Sequence, residues 1–373
     1  MMRRLTALST AALVLAAGMA LAEVQIGAVV ELSGGGAPAG TNYHDGAMLA
    51  FGEINAAGGI LGEQVKVTAY DTQTDPGTSR ALVQKAIDEG AYAILGPVYS
   101  SSTIVNMMVA QQAGVPQIVG AEAPNITAQG NPYVFRTSYG APKGIPALTA
   151  YFKDTLGASS VAVAWVNNEF GKGGHDVFVG EMEAAGIEVV ADIPSEAGAA
   201  DFAADVARIK ESGADAVFVY LHEEESARFL REARKQGIDQ PLVGEVTLTG
   251  QKVIDLAGDA ANGAVAHVGL TADADQFAEV GAKFEEAYGR VTDHNGIKGY
   301  IAAYVVKYVT EMIGDFDQEK FAETMHGLCL DAATYPGVLM DVCWDDTGEV
   351  SRASFMIGVE DGQQVITGLV PAN

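Results

Sequence analysis

Short apolar runs and amphipathic stretches alternate along almost the whole chain, and they do so in two successive series. Val24–Val30 reads as a buried strand, a Gly-rich turn follows, and Asp45–Asn55 reads as a helix. Val65–Tyr70, Ala91–Leu95 and Pro116–Val119 then read as strands, with helices over Gly77–Gly90 and Thr103–Ala113 between them. The second series opens with a helix over Gly144–Leu156. Strands over Ser160–Val166, Glu188–Ile193, Ala216–Leu221 and Pro241–Gly244 follow, separated by helices over Gly171–Ala185, Phe202–Ser212 and Glu224–Gln236. Strand-then-helix repetition of this kind builds parallel sheets covered by helices on both faces. The expected fold class is therefore α/β, with two Rossmann-like lobes joined by a hinge. Helices over Asp275–Tyr288 and Gly299–Met312, and a β-rich tail through Ser354–Val359 and Gln364–Thr367, make too little for a third unit. They are expected to cross back and complete the lobes, giving residues 23–141 plus about 271–345 and residues 142–270 plus about 346–373.

The first 22 residues read differently. Arg3 and Arg4 precede an uncharged apolar run from Ala7 to Leu21, which ends in Ala20-Leu21-Ala22. A basic start, an apolar core and a small-residue end make a secretory signal, with cleavage expected after Ala22 and a periplasmic destination. The run is shorter than the roughly 20 residues of a membrane-spanning helix. The formal charge of −26 becomes more negative once the two arginines are gone. A charge of that sign repels phosphate backbones and anionic lipid, so neither nucleic acid nor a membrane surface is an expected partner. The two cysteines, Cys329 and Cys343, favour a disulfide in an oxidising compartment, two free buried thiols being the other reading.

In open parallel sheets ligands gather at the carboxyl ends of strands, where helix amino ends present free N–H groups. Gly34-Gly35-Gly36-Ala37-Pro38-Ala39 fits G-x-G-x-x-A, but Pro38 inside the loop and an exported location argue against a dinucleotide. No P-loop, nucleophile elbow or zinc motif occurs, so neither cofactor nor catalytic group is expected. The acidic run His222-Glu223-Glu224-Glu225 could suggest a metal, but it opens a helix, where carboxylates complement the dipole, and that reading is preferred. Gly96-Pro-Val-Tyr-Ser-Ser-Ser-Thr103 is more telling, because it brings Ser100, Ser101 and Ser102 to one helix start beside Tyr99. That is either a carboxylate cradle or ordinary capping. The next strand runs out through Gly120-Ala121-Glu122, and in the second unit Phe170 and Glu245 stand at strand ends. Each glutamate is either a solvated loop charge or a partner for an ammonium, and an anion cradle facing a carboxylate suits a zwitterion.

Several of these segments together resemble the Leu/Ile/Val-type substrate-binding proteins of branched-chain amino acid ABC transporters. The residues that carry the resemblance are Gly27-Ala-Val-Val-Glu-Leu-Ser-Gly34, the run Gly46 to Gly62, Tyr70-Asp71 through Asp75-Pro76, Gly96 to Thr103, and Phe170-Gly171. The resemblance implies a type I periplasmic binding fold, a monomer that closes on a small amino acid or related small carboxylate, and a membrane permease as partner. It places the ligand carboxylate at Tyr99-Ser100-Ser101 and the ammonium at Gly120 and Glu122, with glutamate where a threonine is usual. Phe170 then covers the ligand, Glu245 is the second lobe's acidic group, and Tyr220 is a further aromatic wall.

Overall fold

The computed structural model describes residues 23–372. Strands β1 (Glu23–Val30), β2 (Gln64–Asp71), β3 (Ala93–Leu95), β4 (Gln117–Val119) and β5 (Val134–Arg136) form an all-parallel sheet in the order β2-β1-β3-β4-β5. A second sheet is built from β6 (Ser160–Val166), β7 (Glu188–Ser195), β8 (Ala216–Tyr220), β9 (Leu242–Glu245) and β10 (Val265–Val268). Between β10 and the tail lies a small antiparallel sheet of β11 (Cys329–Leu330), β12 (Val342–Trp344) and β13 (Val350–Ser351). The tail strands β14 (Ser354–Glu360) and β15 (Gln363–Val370) extend the second sheet antiparallel to β10, in the order β15-β14-β10-β9-β8-β6-β7. The expected two-lobe α/β organisation is present, and the β-rich tail is a hairpin on the edge of the second sheet.

Local chemistry sets the helix limits. The first helix begins at Ala37, eight residues before the sequence pattern suggests, because Pro38 sits in its first turn where a missing N–H costs nothing. The helix 76–88 starts at Asp75, whose carboxylate accepts from Thr78 N at 2.6 Å. Asn168 caps the helix 169–185 through Gly171 N, and Gly186 ends it at φ 76°. The helix 294–313 is longer than the expected 299–312, since Asp293 accepts from Asn295 N at 2.8 Å and Gly296 N at 3.0 Å. It packs directly on the helix 37–56. Methyl groups at Gly46 and Gly299 would lie 1.9 Å from Gly296 O and Tyr43 O, so the two backbones touch with no side chain between them.

One buried core joins the first sheet to residues 266–357, and a second fills the lobe around β6–β9. The chain passes between the sheets after β5, after β10 and after β13, and these crossings are bound to one another. Arg136 N donates to Gly348 O, and the Trp344 indole N–H donates to Arg136 O at 2.7 Å. The Tyr139 hydroxyl donates to Arg352 O, and Arg352 donates to Thr137 O. The fully buried Arg136 guanidinium reaches Glu349 at 2.9 Å and donates to the carbonyls of Ala121 and Ala123. The other tryptophan, Trp165 on β6, donates to Asp192 at 2.7 Å and stacks on the His175 ring at 4.5 Å. Cys329 and Cys343 are directly opposed in β11 and β12 and joined as a disulfide. The secretory signal read in residues 1–22 lies outside the described residues. Among the described residues no helix is long and apolar enough to cross a membrane.

Candidate functional site

The carboxyl ends of β3 and β4 face the amino ends of helices 169–185 and 223–235 across the gap between the lobes, and the helix 294–313, packed in the first lobe's core, brings its own amino end to the same place. An inner chamber of about 30 Å3 lies there, walled by Val98, Tyr99, Ser100, Gly120 and Glu122 from the first sheet's strand ends. Phe170, His222, Glu223 and Thr247 close it from the second lobe, and His294, Asn295 and Lys298 from the helix 294–313. A wider outer chamber of about 470 Å3 shares the Tyr99, His222 and Glu223 walls and includes Ser101 and Ser102.

The loop after β3 is held from below. Gly96 takes φ +84°, where a methyl group would strike Val29 O at 2.6 Å. The buried Glu31 carboxylate accepts from Val98 N at 3.1 Å and Tyr99 N at 3.4 Å, while burial raises its pKa to about 7. At the helix start, Ser100 Oγ accepts from Glu122 N at 3.3 Å and Ala123 N at 3.1 Å. Both of its lone pairs are thus engaged, and its O–H is left as a donor. Ser101 opens to the outer chamber instead. Ala121 is fully buried, its carbonyl taken by Arg136 and by Ser138 at 2.8 Å, so it supports the site from behind.

Glu122 is not a solvated loop charge. Lys298 Nζ lies 2.7 Å from its carboxylate and 3.4 Å from Gly120 O, with both side chains nearly excluded from water. Lys298 is among the first five residues of its helix, where the backbone dipole disfavours a cation, so the carboxylate has to compensate it. Beside it, Asn295 is 1 % exposed and neither its amide oxygen nor its nitrogen has a hydrogen-bond partner; the Thr247 hydroxyl is also without one. A recess behind Lys298 brings in Glu245, Tyr139 and Arg352. Glu245 lies 3.7 Å from His267 Nδ1, too far for a hydrogen bond, and burial raises its carboxyl pKa. Burial lowers the Arg352 guanidinium to about 10 and leaves its Nε and Nη1 without partners. It also holds His222 and His294 below the usual imidazole range and Glu223 above the usual carboxylate range.

Rings bridge the two lobes. Phe170 stacks on Tyr220 at 4.3 Å and on His222 at 5.1 Å, and His222 stacks on Tyr99 of the first lobe at 4.7 Å. Tyr220 is 1 % exposed and lies beneath Phe170, lining neither chamber. The structure therefore brings Tyr99, Ser100, Gly120, Glu122 and Phe170 together, with Glu245 one recess away. Sequence reasoning missed Lys298, His294 and Asn295. Their signal was an Asp-His-Asn-Gly start followed by a lysine in an otherwise apolar helix. It also preferred a helix opening for His222–Glu225 and did not place these residues at the ligand site. Glu225 does serve that end, accepting from His222 N at 3.0 Å, but His222 and Glu223 face the cleft as well.

Residues 23–364 match the family described as periplasmic binding protein. A leucine-, isoleucine-, valine-, threonine- and alanine-binding protein of Pseudomonas aeruginosa is 27 % identical over 343 residues, 91 % of this chain and 90 % of that one. The Leu/Ile/Val-binding protein of Escherichia coli K12 is 28 % identical over 247 residues, 66 % and 67 % of the two chains. Among solved structures, a branched-chain amino acid transporter substrate-binding protein of Streptococcus pneumoniae in complex with isoleucine superposes with TM-score 0.83 at 23 % identity, covering 94 % of this chain and all of that one. A solute-binding protein of R. palustris in complex with benzoate gives 0.86 at 22 %, covering 94 % and 97 %. With a family match spanning both lobes and the crossings between them, this chain belongs to the periplasmic binding proteins.

Proposed function

We propose that this chain is the exported solute-binding component of an ABC importer, closing its two lobes on a small amino acid or related small carboxylate and delivering it to a membrane permease. The observation that carries this reading is the composition of the inner chamber. The Ser100 O–H, the unpartnered Asn295 and Lys298 can meet a carboxylate, while Glu122 and Gly120 O can meet an ammonium. The walls come from both lobes, so filling the chamber is coupled to closure. Ser100 is engaged by backbone N–H groups and not by a base, which fits binding and not catalysis. The names of the Pseudomonas and Escherichia relatives support amino acids with aliphatic side chains. A carboxylate without an amine is the second reading, favoured by the ring wall of Tyr99, His222 and Phe170 and by the benzoate held in the R. palustris relative.

The test is a thermal-shift screen of amino acids, amides and aromatic acids, followed by small-angle scattering with the strongest stabiliser. At least one small carboxylate should raise the melting temperature and shrink the radius of gyration. Stabilisation by none of them would overturn the reading.

A further inference from the structure

We infer that Lys298 and Glu122 form one exchangeable ion pair that makes the cleft select zwitterions, the ligand entering in series between the two side chains. This rests on reading the cleft as the site for a small amino acid, and it adds Lys298 as the residue that sets which charges the ligand must carry.

Lys298 Nζ touches the Glu122 carboxylate and Gly120 O, the two acceptors a ligand ammonium would use. A ligand ammonium bound between Glu122 Oε1 and Gly120 O would take the place Lys298 Nζ now holds, and so displaces it. The displaced lysine then needs an anion, and the ligand carboxylate is the one that arrives with the ammonium. Around Lys298 stand groups that suit a carboxylate: the amino end of its own helix, the unpartnered Asn295 amide and the Ser100 O–H. One protein ion pair thus becomes two, and neither Lys298 nor Glu122 is left without a partner. The inner chamber, about 30 Å3, holds little more than one water molecule while the two side chains meet in it. Parting them is therefore also what makes room.

The scheme penalises ligands with a single charge. An amine without a carboxylate would take Glu122 and strand Lys298; an acid without an amine would take Lys298 and strand Glu122. Leaving one member of a desolvated pair alone is the expensive case.

Calorimetric titration of the full mature chain tests this with matched probes. For alanine, valine and leucine, each amino acid is compared with the amine lacking its carboxylate and the acid lacking its ammonium. In wild-type protein an amino acid should bind about tenfold or more tighter than either truncated probe. Lys298→Met should weaken the amino acid and tighten the amine, and Glu122→Gln should weaken the amino acid and tighten the acid. The double variant Lys298→Met/Glu122→Gln leaves no stranded charge, which protects against misfolding, and should lose the discrimination. An acid or amine binding wild-type protein as tightly as its amino acid would overturn the inference. So would amino acid affinity unchanged in both single variants. Those results would leave the solute-binding reading standing, whereas the absence of any binding or thermal shift across the whole solute screen would overturn both.

Discussion

Replacing Arg136 by Met should cost about 3–5 kcal/mol of folding stability, because it removes one partner of a desolvated ion pair. The side chain is fully buried, and its guanidinium meets Glu349 at 2.9 Å, the Ala121 and Ala123 carbonyls, and the Thr127 hydroxyl at 3.3 Å. What remains after the substitution decides the magnitude. Ala121 O keeps Ser138 at 2.8 Å and Ala123 O keeps Ile126 N at 3.2 Å, so neither carbonyl is stripped bare. Glu349 keeps the Thr127 hydroxyl at 2.8 Å, Gly140 N at 3.2 Å and Val350 N at 3.3 Å but loses the cation it is paired with. The uncompensated carboxylate therefore dominates. Arg136→Lys should recover little, since a single ammonium cannot reach the two carbonyls and the carboxylate at once. Equilibrium urea denaturation gives the loss as a shift in midpoint at unchanged slope. Arg136→Met/Glu349→Gln completes a cycle in which the double variant should be less destabilised than the two singles summed. A loss below about 1 kcal/mol for Arg136→Met, the range of ordinary substitutions, would refute the argument.

Ser100→Ala removes the donor left free by two backbone bonds and should weaken binding of a carboxylate ligand by about 1.5–3 kcal/mol, read by calorimetry, with the fold retained. Cys329→Ser/Cys343→Ser opens a loop between cysteines 14 residues apart and should cost about 3 kcal/mol in urea, with an equal effect from a reducing agent on wild type. Gly299→Ala forces a methyl group onto Tyr43 O, 1.9 Å away in the present backbone; stability should fall by about 1–3 kcal/mol, and ligand affinity should fall with it because Lys298 is the preceding residue. Glu31, whose pKa is raised from 4.5 to about 7 by burial, binds its proton more tightly folded than unfolded, so its contribution is full below about pH 4.5 and is lost as pH rises through about 7. Urea midpoints at pH 5 and pH 7.5 should therefore fall less in Glu31→Gln than in wild type.

Local readings transferred well to the structure and pairings did not. The Gly96–Thr103 segment was legible because strand, loop and helix start follow one another in the chain, and three consecutive serines mark that helix start. The disulfide was favoured over two free thiols by compartment, by count and by the short stretch between the cysteines, and the structure has it. Glu122 could be placed at a strand end, but its partner is 176 positions away, and nothing in the local pattern around Lys298 says which carboxylate it meets. Tyr220 was placed on the right strand, yet its depth beneath Phe170 depends on a stacking contact that a sequence does not carry. The β11–β13 sheet escaped because strands of two or three residues show no periodicity. The early start of the helix 37–56 escaped because its glycines mimic a turn, although Gly40 and Gly46 serve close packing instead.

The two tryptophans divide the molecule into separately observable parts. Trp344 is tied to the carbonyl of Arg136, so its surroundings change when the strands joining the lobes move relative to each other. Trp165 stands on the second lobe against the His175 ring and has no share in those strands. Emission from the protein is then a sum of one indole fixed to the joint and one fixed to a single wing. Taking away Trp165 leaves an optical channel that sees the bending alone, and taking away Trp344 leaves one that sees a lobe riding along unchanged. A solute that shuts the cleft without altering either lobe's interior would be visible in the first channel and dark in the second.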